Sequence, residues 1–148
     1  MDSIRRASLL VVLAHPDDEV FPGLLMVGLS GRIFFMNAEI VMSKIRTILR
    51  EARPKVVVFH MSGVFDLEYT AVKMMTDAER MARENGVTIW VSGLNPAVKN
   101  VVLRSPLGEA LGRERILHNL EEAVTRYTNE SKGTLKVETG EIEPVLVG

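Results

Sequence analysis

The chain has no cysteine among its 148 residues. Disulfides and thiolate metal sites are thereby excluded, and the composition fits a reducing compartment. No apolar run reaches the roughly 18–20 residues that a transmembrane helix needs. The longest, such as Leu9–Ala14, suit buried strands. A cationic excess is also missing. Lys and Arg total 18 against 19 Asp and Glu, a net charge of -1, so nothing favours a nucleic-acid partner. Met1–Arg6 is basic, but the apolar stretch behind it is short and ends in His-Pro-Asp-Asp, a poor match to a secretory leader. The sequence contains no Gly-Lys-[Ser/Thr] phosphate loop, no recognisable Ser-His-Asp set and no internal repeat. What remains, 47% hydrophobic and 25% charged residues, suits one compact domain with a real core.

Along the chain, Leu9–Ala14 reads as a buried strand and Pro16–Gly23 as an acidic loop, because its prolines and glycine interrupt pairing. Leu24–Leu29 and Arg32–Met36 read as two strands joined by a Ser30-Gly31 hairpin turn. Asn37 is placed to cap a helix running to about Ala52, with Val41, Ile45, Ile48 and Leu49 as its apolar stripe. Lys55–Met61 is an interior strand followed by a loop at Ser62-Gly63. A helix over Tyr69–Glu84 carries Ala71, Met74, Met75, Ala78 and Ala82 on one face, and Asn85-Gly86 stops it. Val87–Val91 is a strand, and Asn95-Pro96 opens a helix that ends near Ser105-Pro106. Ile116-Leu117 suits a short edge strand. Asn119 with Glu122 three residues on starts a last helix, with stripe Leu120, Ala123, Val124 and Tyr127.

This order predicts an α/β fold: a single mixed, mostly parallel sheet with about four helices packed on it. Residues 1–21 form an amino-terminal strand and acidic loop, 22–129 the core, and 130–148 a poorly ordered tail. Loops at the carboxyl ends of the strands are the expected site. Ser62-Gly63 and Ser92-Gly93 are short turns able to hold an anion or a nucleotide phosphate. His60, ending a strand, reads as a hydrogen-bonded structural histidine.

Four segments in order resemble the STAS domain, above all that of SulP-type sulfate and bicarbonate permeases. Pro22-Gly23-Leu24-Leu25 with Phe34–Glu39 resembles that family's entry. Val56–Ser62 followed by Glu68-Tyr69-Thr70-Ala71 resembles its central strand and following helix. Gly86-Val87 through Gly93-Leu94-Asn95-Pro96-Ala97-Val98 resembles the next strand and cap. Arg104–Leu107 with Leu120–Val124 resembles the closing helical region. The likeness covers roughly residues 22–128. It implies a non-catalytic regulatory domain without a required cofactor, on the cytoplasmic face of the membrane. Its partners would be the parent transporter's membrane domain, a cytosolic regulatory protein, or a second copy in a homodimer. The contact loops would hold Asn37, Ser62, Gly63, Glu68, Tyr69, Thr70, Ser92, Gly93 and Asn95.

In the freestanding relatives that antagonise anti-sigma factors, an Asp-Ser-[Ser/Thr]-Gly motif is phosphorylated by a partner kinase. Here Tyr69 takes the first hydroxyl position and Ala71 the glycine, while His60 replaces the family's strand-end Asp. Thr70 keeps the second hydroxyl position, as a candidate phosphorylation site or a helix-start residue. The alternative reading is therefore an anti-sigma-factor antagonist or stress-signalling adaptor switched at Thr70. Ala14-His15-Pro16-Asp17-Asp18-Glu19 separately resembles the zinc motif of PIG-L/LmbE-like deacetylases. A catalytic zinc usually takes three protein ligands. The remaining histidines, His60 and His118, lack that family's downstream context, so the expectation is no metal site.

Overall fold

A computed structural model describes residues 8–14, 22–33, 35–130 and 145–146. The strands are β1 Ser8–Ala14, β2 Leu24–Ile33, β3 Val56–Leu67, β4 Thr88–Ser92, β5 Ile116–Leu117 and β6 Val145–Leu146. Among the described residues the helices are α1 Phe35–Ala52, α2 Tyr69–Glu84, α3 Pro96–Leu103, α4 Pro106–Leu111 and α5 Leu120–Glu130. The six described strands form one sheet in the order β5-β4-β3-β2-β1-β6. The four strands β2 to β5 run parallel, and β1 lies antiparallel to β2. Beyond it β6 pairs antiparallel with β1.

Registration across the central strands explains the two-sided core. Leu25, Val57 and Ile89 share one rung, and Val27, Phe59 and Val91 another. These side chains face α1 to α4, packed with Val41, Ile45, Ala71, Val72 and Val102. The alternate rung of Met26, Val58 and Trp90 faces α5, where Ala123 and Tyr127 cover it. A parallel strand buried on both faces needs near-continuous apolar sequence, as Val56-Val57-Val58-Phe59 supplies. Each such side chain contributes about 1.5–3 kcal/mol when fully buried.

Several local expectations are corrected. Ser30-Gly31 is not a hairpin turn: β2 runs through it as one ten-residue strand. The ladder to β3 shifts register between Gly28 and Ser30 and again between Gly31 and Arg32, and Gly31 has φ of 95°. Such bulges absorb an extra residue and keep the strand going. Ser62-Gly63 is likewise strand, since Ser30 pairs with Gly63 and β3 continues to Leu67. Because β2 ends at Ile33, α1 starts at Phe35, and Asn37 lies inside the helix rather than capping it. A fifth helix, α4, starts at Pro106 immediately after the Ser105-Pro106 pair that signalled a stop.

The α2 stripe conceals one charged residue. Glu79 is 1% exposed, with Arg115 Nη1 3.3 Å from Oε2 and Arg83 Nη2 3.6 Å from Oε1. Arg115 in turn donates to the carbonyls of Leu111 and Ala110, so one guanidinium ties α2 to the end of α4.

Candidate functional site

At the carboxyl end of the parallel strands the rung after Met26–Val58–Trp90 reads Gly28–His60–Ser92. Apolar alternation stops there and a polar cluster begins on the α5 face. His60 Nδ1 lies 3.0 Å from Ser92 Oγ, and His60 Nε2 lies 2.8 Å from Ser62 Oγ. Ser92 is buried, His60 half-buried and Ser62 exposed. The chain thus runs from the interior to the surface through one imidazole. A neutral ring donates through one nitrogen and accepts through the other, and hydroxyls complement either tautomer. Loss of hydration on burial pushes the His60 pKa below the usual 6.5.

Gly93 makes room for this ring. Its φ is 74°, and a Cβ there would sit 2.8 Å from His60 Cε1. Both facts favour glycine: the left-handed backbone and the close approach. Asn95 then fixes the next turn. Its Oδ1 accepts from Val98 N at 2.9 Å as the cap of α3, and its Nδ2 donates to Val64 O at 2.7 Å. One side chain therefore satisfies a free helix N–H and anchors α3 to β3.

The remaining candidates lie elsewhere on the edge. Five residues of strand lie between Ser62 and Glu68, so the two are roughly 20 Å apart at a strand's rise per residue. Ile33 pairs with Leu67, so α1 and α2 begin beside each other at the ends of adjacent strands. That places the backbone of Asn37 in the first turns of α1, near the start of α2. Glu68 occupies the α2 cap position with extended backbone and makes no side-chain capping bond. The first N–H groups of α2 are left without an intrahelical acceptor. Thr70 lies in that first turn, half-buried, beside exposed Tyr69.

The expected contact set thus divides into a His60-centred cluster with Ser62, Ser92 and Gly93, and a helix-start group with Glu68, Tyr69 and Thr70. Phe65 escaped the sequence reading. It is 66% exposed and Tyr69 is 68% exposed, two aromatics at the β3–α2 junction. The available signal was an aromatic at a strand position whose neighbours Val64 and Leu67 fill the core. Among the described residues no three His, Asp or Glu side chains gather as a metal centre requires. The His15–Glu19 motif lies outside the described residues. No described helix is long and apolar enough to cross a membrane.

The sequence profile of the STAS domain matches residues 15–126. No curated protein sequence matches the chain. Among solved structures the chain is similar to the sulfate transporter family protein of Wolinella succinogenes, at 21% identity and TM-score 0.68. That match covers 81% of this chain and 97% of that one. It is similar to SLC26A9 at 13% identity and TM-score 0.69, over 86% of this chain. The chain spans only 26% of the SLC26A9 chain. An anti-sigma factor antagonist from Mycobacterium paratuberculosis matches at 20% identity and TM-score 0.63, over 81% of this chain and 93% of the other.

Proposed function

The chain belongs to the STAS domain family, and on that premise we propose that it is the regulatory domain of a SulP-type anion transporter. On this reading it breaks and makes no covalent bond. It works at the cytoplasmic face of the membrane, docking the carboxyl edge of its sheet on the parent protein's membrane domain or on a cytosolic regulator. Such docking changes transport only through unequal contacts with two conformations of the transporter.

The observation that carries the reading is the entrance of α2. Where antagonists of anti-sigma factors present a small hydroxyl residue, this chain presents Tyr69, with Phe65 exposed just before it. Exposed aromatics that become buried are the usual anchors of an interface. An antibody against this chain should detect a membrane-bound protein much larger than 16.5 kDa in the source cells. A band of only this mass in the soluble fraction would sink the proposal. In that larger protein, Phe65→Ala with Tyr69→Ala should lower anion uptake severalfold at unchanged membrane abundance.

A second reading, the phosphorylation-switched antagonist or adaptor, is favoured by the uncapped start of α2. Phosphate on Thr70 would meet free N–H groups and the positive end of the helix dipole. Incubation with candidate kinases should then add one phosphate by intact mass, and Thr70→Ala should abolish it. Absence of any phosphate incorporation counts against this reading.

A further inference from the structure

At the opposite edge of the sheet, a groove of about 880 Å³ opens between α1 and α2, with Pro54 and Val87 at the amino ends of β3 and β4 among its lining. Phe59 and Ile89 of the sheet, Ile45 and Leu49 of α1, and Met74 and Ala78 of α2 give it an apolar lining. Arg46, Arg50 and Arg53 also line it: Arg46 and Arg50 lie one turn apart on one side of α1, and Arg53 follows just past the helix end, with φ of 46°. Arg46 and Arg53 have no acidic partner among the described residues. Arg50 donates to Thr47 Oγ1 at 3.5 Å and has no acidic partner among the described residues. The one carboxylate in the lining, Asp77, is already paired with Arg80 at 3.4 Å.

Arginines late in a helix complement its dipole, but that role does not call for an apolar slot beside them. We propose that the groove binds a long-chain fatty acid, its chain on the Phe59–Ile89 floor and its carboxylate on the arginines. The volume falls in the range of small-molecule sites, roughly 300–1,000 Å³. Guanidinium and carboxylate match as paired hydrogen-bond donors and acceptors. Methionine, here Met42, Met74 and Met81, adapts its shape to a flexible apolar chain. An acidic helix is a poorer occupant, being about 10–12 Å across with its side chains against a slot between two helices in contact. A second copy is poorer still, since a two-fold interface joins the same patch from both copies and would double the arginines while adding no carboxylate but the already paired Asp77.

The test uses the purified chain and cis-parinaric acid, a fatty acid whose fluorescence rises in apolar surroundings, with hexadecanoate and hexadecanol as competitors. Saturable single-site binding with a micromolar constant is expected, with hexadecanol competing about tenfold more weakly. Arg46→Ala with Arg50→Ala should weaken hexadecanoate about tenfold and leave hexadecanol unchanged. Ala78→Phe, which fills the slot, should abolish both. Should that variant fail to show native circular dichroism, the arginine pair alone decides. Non-saturable binding, or affinity unchanged in the arginine variant, would overturn the proposal. So would a dimer in sedimentation that the arginine substitutions disperse and hexadecanoate does not. None of these readouts depends on membrane attachment or on Thr70, so failure here leaves the transporter reading standing, and the reverse.

Discussion

His60 couples burial to pH. Its folded pKa lies below 6.5 because the half-buried ring is poorly hydrated as a cation. The unfolded chain titrates near the ordinary value of about 6.5. Falling pH therefore protonates the unfolded state first and draws molecules toward it. His60 should stabilise the fold fully above about pH 6.5 and progressively less below, until the folded pKa is passed. Urea unfolding from about pH 7.5 to about 5.5 should show stability falling with acid, and the decline should be smaller in His60→Gln. Nuclear magnetic resonance should place the His60 midpoint below 6.5. A midpoint at or above that value would contradict the desolvation argument. From sequence, His60 was readable as a hydrogen-bonded structural residue. Its partners were not, because Ser92 lies 32 residues away and only strand register joins them.

Elements with strong end signals were legible, and those whose signals serve two purposes were not. Asn95-Pro96 announces α3, and the Asn95 side-chain Oδ1 does accept from Val98 N. The apolar spacing from Tyr69 to Glu84 fixes α2 because one face must meet the sheet. Ser30-Gly31 misleads because a glycine at positive φ serves a bulge as well as a turn. Ser105-Pro106 ends one helix and begins another, and Ser105 Oγ donates backward to Val102 O. Glu79 fell off the α2 stripe because its burial depends on Arg115, 36 residues on. Removing one member of a buried ion pair strands the other, which is costlier than removing both. Arg115→Ala should destabilise by roughly 3 kcal/mol, part of the charge remaining screened by Arg83. Glu79→Leu combined with Arg115→Ala should cost clearly less. Denaturant midpoints for the two variants check the order, and a double variant less stable than the single one would refute it.

At the scale of the whole molecule, one sheet serves two cores, and this decides how the domain should unfold. Neighbouring residues of the same strands feed opposite faces, as with Val57 and Val58 in β3. Neither face can lose its order while the other keeps it without dissolving strands that both use. The only tryptophan, Trp90, reports the α5 face, where its ring meets Tyr127 edge-on at 6.5 Å. Far-ultraviolet circular dichroism reports mainly α1 to α4 on the other face. Tyr127 also donates its hydroxyl to Pro22 O, fastening α5 to the entry of β2. Tyr127→Ala removes the ring from a filled core and should cost roughly 3 kcal/mol. If the faces are coupled, Trp90 fluorescence and circular dichroism will give coincident urea transitions in the parent chain and in Tyr127→Ala, both displaced to lower denaturant in the variant. A fluorescence transition that moves while the dichroism transition stays would show α5 peeling away alone, and the carboxyl edge could then not transmit a docking event across the sheet as one body.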